Sequence, residues 1–211
     1  MNNNFSISEI FESIIGESSF AGFPALFIRF SGCNLRCAWC DTQYAYEPSY
    51  FLSFEELLAK INSSKQKIAL FTGGEPLLQV HLQQLMNEIA QRNAKKIVLE
   101  TNGSVSIENV NPRVHISLDC KPPSSMEHEK CLFSNFSLLK KTDDIKFVVG
   151  NRTDYDYCRK IITEYKLISK ANLIVQPVYG NLDARTLSEW LLQDALQARL
   201  SIQLHKNLGI K

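Results

Sequence analysis

The chain has 211 residues, with 23 Lys plus Arg against 22 Asp plus Glu and a formal net charge of +1. That length can bury a proper core, and a hydrophobic fraction of 45% excludes global disorder. The near-neutral charge argues against a nucleic-acid partner held by clustered phosphate contacts.

Taken in chain order, the opening MNNNFSISEIFESII has no basic stretch and no uninterrupted apolar run, so it does not read as a secretory signal. No segment approaches the roughly 18 apolar residues of a membrane span. The expectation is a cytoplasmic protein without a membrane partner. Short β-rich runs follow at Ala25–Phe30, Ile68–Phe71, Lys96–Glu100, Val114–Leu118, Asp144–Val149, Leu173–Val175 and Leu200–Leu204. Several are almost wholly apolar, as parallel strands covered on both faces are. Ser53 with Glu56 reads as a capping box opening a helix to about Ile61. Pro76 fits a first helical turn, and Leu77, Leu78, Leu82, Leu85 and Ile89 recur at helical spacing. Arg152–Leu167 and Asp183–Ala198 are helical in pattern, the second capped by Asp183. Ser104–Pro112 is too short for such a helix, and Pro122–Leu139 has no readable period.

Alternating strands and helices imply right-handed crossovers and an α/β fold. Seven strand candidates fall short of the eight that a closed barrel needs. The expected architecture is an open, partial (β/α) barrel with parallel strands and truncated outer helices; a doubly wound sheet is the alternative. Polar and Gly-rich motifs sit directly after the strand candidates: SGC, TGGEP, ETNG, DCKPP, VVGN, VQPV and QLHK. Strand C-termini of a parallel sheet share one rim, so these motifs should converge on one pocket.

Six cysteines in a chain of this pattern do not form a disulfide framework. Cys33, Cys37 and Cys40 are bunched as Cys-x-x-x-Cys-x-x-Cys, whereas Cys120, Cys131 and Cys158 are scattered and read as ordinary thiols. Three soft thiolates suit zinc, copper or an iron–sulfur cluster. A structural zinc site wants a fourth protein ligand, and His81, His115, His128 and His205 are dispersed. A four-iron cluster on three cysteines leaves one iron open for chemistry.

The run Cys33, Cys37, Trp39, Cys40 resembles the radical S-adenosylmethionine superfamily, and Gly73-Gly74-Glu75-Pro76 resembles its GGEP motif. Within that superfamily, IFESIIGE at Ile10–Glu17, FIRFSGCNLRCAWCDT and the closing QLHK are similar to the 7-carboxy-7-deazaguanine synthase family. The resemblance implies a single domain over 1–211, in which residues 1–24 and 200–211 complete the substrate pocket. It implies a [4Fe-4S] cluster, S-adenosylmethionine and Mg2+ as cofactors, and an electron donor such as flavodoxin or ferredoxin. A homodimer is the family expectation. The implied reaction contracts the ring of 6-carboxy-5,6,7,8-tetrahydropterin and releases ammonia, after a 5′-deoxyadenosyl radical removes hydrogen from C6.

Carried over by position, Cys33, Cys37 and Cys40 hold the cluster and Thr42 binds magnesium. Trp39, Cys40, Asp41, Gly74, Glu75, Asn102, Asp119, Cys120, Lys121, Gln176 and Pro177 contact S-adenosylmethionine. Ile14, Ile15, Gly16, Glu17, Arg29, Thr72, His205 and Lys211 line the substrate pocket, with Arg29 on the substrate carboxylate. Two departures stand out. Ile15-Gly16-Glu17-Ser18 replaces the family's Gln-Gly-Glu-Gly, and Asp119-Cys120-Lys121 matches the cofactor segment imperfectly. Two other functions fit parts of the pattern: a glycyl-radical activating enzyme, whose substrate is a protein, and a non-catalytic zinc module.

Overall fold

A computed structural model describes residues 4–92 and 95–210. Nine strands form one sheet: β1 (Asn4–Ile14), β2 (Pro24–Phe30), β3 (Tyr50–Ser53), β4 (Ile68–Gly73), β5 (Lys96–Thr101), β6 (His115–Asp119), β7 (Asp144–Val149), β8 (Asn172–Pro177) and β9 (Arg199–Leu200). Their order is β3-β1-β2-β4-β5-β6-β7-β8-β9. From β2 through β4 to β9 every neighbour is parallel and follows chain order without reversal. That single winding is the barrel type and excludes the doubly wound alternative, which reverses direction at a switch point. Because β3 and β9 are edges, the barrel is open.

The helices are α1 (Phe54–Ser63), α2 (Leu82–Gln91), α3 (Arg152–Glu164), α4 (Ala184–Gln193) and α5 (Leu204–Leu208). The Ser53–Glu56 capping box is present and Asp183 caps α4, as the sequence led us to expect. Helices α3 and α4 end earlier than their apolar pattern does. Lys166 and Ala195, at φ 54° and 47°, turn the chain into the left-handed region just beyond them. The β5–β6 link is irregular and the β6–β7 link holds only short 3-10 turns, so two crossovers lack helices.

Two strand expectations need correction. The opening segment, where no strand was expected, forms β1, which pairs antiparallel with β2 and with the equally unexpected β3. A register shift between Ile7 and Glu9 hides β1 from a period-2 reading. It puts Phe5 and Ile7 in the outer core, but Glu9 and Phe11 against the barrel interior. Likewise Leu200–Leu204 is not one strand, because β9 stops at Leu200 and α5 begins at Leu204.

Strand alternation sorts the side chains. On β2, Leu26, Ile28 and Phe30 pack outward under the helices with Phe71, Leu99, Leu118 and Phe147. Facing inward, Ala25, Phe27, Ile68, Leu70 and Val98 form a second, smaller core with Ile15, flanked by Phe11 and Phe20. This core plugs the N-terminal ends of the strands, and above it the inward positions turn polar.

Candidate active site

The polar inward positions open into a cavity of about 610 Å³ at the strand C-termini. Arg29 of β2, Thr72 of β4, Glu100 of β5, Ser117 and Asp119 of β6, Lys146 of β7 and Gln176 of β8 line it. The loop after β2 adds Cys33, Cys37, Trp39, Cys40, Asp41 and Thr42, and the GGEP loop adds Gly74. Asn102 and Lys121 follow from the next two strand ends. Ile14 to Glu17 and His205 close the wall. The two chain ends meet there: Leu204 N donates to Gly16 O at 3.0 Å. A Cβ on Gly16 would lie 1.9 Å from His205 Nδ1, so only glycine admits that contact. Burial lowers the His205 pKa.

Of the expected residues that are described, three are not on this wall. Lys211 lies outside the described residues. Glu75 is fully buried behind the wall, where its carboxylate accepts from Thr101 Oγ1 at 2.9 Å, Asn102 N at 2.7 Å and Leu77 N at 3.0 Å. It therefore fixes the turn that presents Asn102; burial pushes it up to about 7 against those hydrogen bonds. Cys120 points outward from the end of β6 into the helix-covered core, 3.8 Å from Cys131 Sγ. Pro177, ending β8, is buried and also outside the lining.

The cluster loop is held by backbone on backbone. Gly32 N donates to Ala45 O at 2.8 Å, and Glu75 N donates to Gly32 O at 2.8 Å. A Cβ on Gly74 would lie 2.1 Å from Gly32 O and 2.9 Å from Cys33 Cβ, so this glycine seats the GGEP loop against the cysteine loop. Asn102 Nδ2 lies 3.7 Å from Cys33 Sγ and donates to Asn34 Oδ1 at 3.1 Å. Burial, followed by the charges of Asp119 and the neighbouring thiols, raises the Cys37 thiol to about 11, so a bound cation is needed to hold its thiolate. All three thiols are free and partly exposed on the cavity wall.

Among the described residues, no three His, Cys, Asp or Glu side chains converge on a single-ion position, as a zinc module would require. Three separate soft donors on one wall fit a cluster, which spreads its ligands over several irons. The wall also holds buried polar atoms without partners: Trp39 Nε1, Ser117 Oγ, Asp119 Oδ1 and Gln176 Oε1. Such atoms are costly unless a polar ligand meets them, so the donor set fits an organic cofactor beside the cluster. Thr42 Oγ1 donates to Asp41 Oδ1 at 2.8 Å, which leaves its lone pairs for a hard cation.

A buried charge network, largely unforeseen from sequence, crosses the floor. Lys146 is paired with Glu17 and lies 3.9 Å from Asp119, which also pairs with Lys121 at 2.8 Å. Burial alone would raise Glu17, but the Lys146 charge and hydrogen bonds from Lys146 and Gln203 hold it down at about 2. Lys146 is correspondingly held protonated, burial being outweighed by Glu17, Asp119 and Glu100. Glu100 accepts from Thr72 Oγ1 at 2.8 Å, and burial pushes its carboxyl up. Arg29 donates through Nε to Glu9 at 2.9 Å, while its two terminal nitrogens make no hydrogen bond among the described residues. Lys206 ties α5 to Asp41 at 2.7 Å. Lys146 had a signal in the sequence: a charge in the middle of DIKFVV, two residues beyond Asp144 and flanked by apolar residues.

Comparison with known proteins agrees with this geometry. The Radical SAM superfamily signature matches residues 27–120. The chain is 39% identical over 204 residues to the 7-carboxy-7-deazaguanine synthase of Chlorobaculum tepidum, covering 95% of this chain and 92% of that one. It is 39% identical over 210 residues to the enzyme of that name from Clostridium acetobutylicum, covering 96% and 95%. The crystal structure of QueE from Escherichia coli shares the fold, with a TM-score of 0.72 at 23% identity over 96% of this chain and 95% of that chain. The chain therefore belongs to the 7-carboxy-7-deazaguanine synthase family of radical S-adenosylmethionine enzymes.

Proposed function

We propose that this enzyme converts 6-carboxy-5,6,7,8-tetrahydropterin to 7-carboxy-7-deazaguanine and ammonia, in the biosynthesis of queuosine or another deazapurine. The observation that carries this reading is one cavity that joins the three thiols to Arg29, Glu17 and Lys146. Cys33, Cys37 and Cys40 would hold the cluster, which together with S-adenosylmethionine would supply the radical chemistry for hydrogen removal at substrate C6. The chain's own residues bind, orient and exclude water. The unpartnered end of the Arg29 fork matches a carboxylate in bidentate geometry. Gly74, Asn102, Lys121 and Gln176, with Trp39 to Asp41, form the cofactor side of the wall. Thr42 offers an oxygen to Mg2+, the remaining ligands coming from substrate and water. Gly16 and His205 bring the two chain ends together over the cavity, so residues 1–211 act as one catalytic unit whose ends complete the pocket.

The cavity volume suits a small molecule and not the extended backbone of a protein substrate, which weighs against a glycyl-radical activating enzyme. The free thiols suit the reducing cytoplasm. A low-potential one-electron donor such as flavodoxin or ferredoxin would reduce the cluster. Tyr50 and Phe51, exposed on edge strand β3, support a homodimer that covers this edge.

The test is anaerobic turnover with reductant, S-adenosylmethionine, Mg2+ and the tetrahydropterin. Formation of the deazaguanine and ammonia is expected; cofactor cleavage without either product would sink the substrate assignment and leave the radical chemistry standing. Arg29→Ala should raise the substrate KM by about 10- to 100-fold, the worth of a charge-assisted hydrogen-bonded pair, without changing bound iron.

A further inference from the structure

The link between β6 and β7 has no readable period in the sequence, yet it touches the cysteine loop at three places. Lys121 Nζ sits 5.7 Å from the centre of the Trp39 ring. Ala38 N donates to Ser125 O at 3.1 Å, and Arg36 N donates to Glu127 Oε1 at 2.5 Å. Arg36 and Ala38 are the two chain neighbours of Cys37. Both amides that flank this thiol are therefore tied to one short stretch, Ser125–Glu127.

That stretch is itself held at several points. Cys120 N donates to Lys146 O at 2.8 Å and Leu132 N to Gly103 O at 3.0 Å, which fixes its ends to β7 and to the turn after β5. Buried Asp154, in the first turn of α3, accepts from Ser124 N at 2.9 Å. The Sγ atoms of Cys120 and Cys131 lie 3.8 Å apart, so the segment between them is a compact loop with close ends. Met126 adopts φ 63°, a strained conformation for an L-residue, while its side chain is exposed and gains no packing from it. The strained turn delivers Ser125 O and Glu127 to the same loop. Glu127 is only 7% exposed, and its second oxygen pairs with Lys130 at 2.8 Å. Hydrogen bonds from Lys130 and then from Arg36 N hold its carboxyl below the usual range, so the bond to Arg36 is charge-assisted.

We infer that Glu127 is a positioning residue for the cluster. By accepting from Arg36 N, with Ser125 O on Ala38 N, it fixes the backbone on both sides of Cys37 and hence the direction of that thiolate on the cavity wall. Removing a group that orients a metal ligand typically weakens metal binding by about 10- to 100-fold. The inference rests on the three-thiol cluster and is independent of the pterin assignment.

The test follows the cluster itself in the anaerobically reconstituted enzyme. Two readouts serve: loss of iron to a competing chelator, and the EPR spectrum of the reduced cluster. Glu127→Ala should weaken iron retention by about 10- to 100-fold and alter the spectrum. Should that chain not fold, Glu127→Met fills the same space without an acceptor and carries the same expectation. Glu127→Gln keeps an oxygen acceptor in place and should retain iron to within about 3-fold of wild type, a neutral hydrogen bond replacing a charge-assisted one. Lys130→Met removes the ion pair but not the bond to Arg36, and should leave both readouts at wild type. Wild-type retention and spectrum without the acceptor would overturn the inference. So would an equal loss in Lys130→Met, which would place the effect in the ion pair, or in Glu127→Gln, which would place it in the charge. A wild-type chain that binds no iron would overturn the cluster assignment and this inference with it. None of these readouts involves the pterin, so a failure of that assignment is distinguishable.

Discussion

At the N-terminal ends of β2, β4 and β5 the inward side chains are Phe27, Leu70 and Val98. Two residues further along the same strands they are Arg29, Thr72 and Glu100. The first set is packed against Ile15, Phe11 and Phe20, and of its members Phe27 alone reaches up to the cavity lining. The second lines a cavity with polar atoms that lack partners. One face of one sheet thus spends its lower half on burial and its upper half on chemistry. The two halves of the lower end differ as well. On β6 to β8 the plug gives way to His115, Asp144 and Asn172, which hold Ser19 of the loop between β1 and β2. That loop carries Gly16 and Glu17, so the polar latch positions part of the site from below.

The sharpest separation of the two ends should come from Cys33→Ala. It removes one expected cluster ligand at a partly exposed loop position that belongs to neither core cluster. The expected result is loss of bound iron and of all turnover, read by iron assay and visible absorption, with urea unfolding of the metal-free chains unchanged. Iron content equal to wild type would remove Cys33 from the cluster. The converse substitution is Leu70→Ala at the plug. Leu70 is fully buried, and its truncation should cost about 3 kcal/mol in urea unfolding, from lost transfer energy plus the cavity. Activity per folded molecule should hold at low temperature. A large fall in kcat without a fall in stability would mean that the plug is not mechanically separate from the rim.

Gly16→Ala tests the junction between the ends. Its Cβ would displace the His205 ring and with it the start of α5. An increase in substrate KM of roughly 10-fold is expected, with stability changed by less than about 1 kcal/mol, since α5 is short and at the surface. If KM is unaltered, α5 does not close the pocket.

Much of the rim was legible because its residues are set by local chemistry. Three thiols at fixed spacing and glycines after strands need no tertiary knowledge to stand out. What escaped depends on direction. Asp119 and Lys121 face the cavity, but Cys120 between them takes the opposite side of the strand, so a contiguous motif was only partly a site. Glu75 sits inside a quoted motif yet serves the backbone of Asn102. Strand β1 was missed because one register shift reverses its alternation midway. Lys146 was missed because its partners, Glu17 and Asp119, lie far away in sequence and meet it only in the closed-up sheet.

The smallest effect concerns the loop that joins the two ends. Ser18 stands where the family commonly has glycine, and it adopts φ 69°, the left-handed region that costs an L-residue about 1 kcal/mol. The side chain recovers part of that cost, because Ser18 Oγ accepts from Phe20 N at 3.1 Å. Ser18→Gly would relieve the strain but give up this hydrogen bond and add freedom to the unfolded chain, worth about 0.4–1 kcal/mol. The terms nearly cancel, so stability should change by less than about 0.5 kcal/mol and substrate KM by less than about 2-fold. Ser18→Val offers no such hydrogen bond and resists positive φ, so it should cost about 2 kcal/mol and raise KM by moving the adjacent Glu17. If valine is as harmless as glycine, the loop does not hold Glu17 in place, and the burden of positioning falls on Lys146 and Gln203 alone.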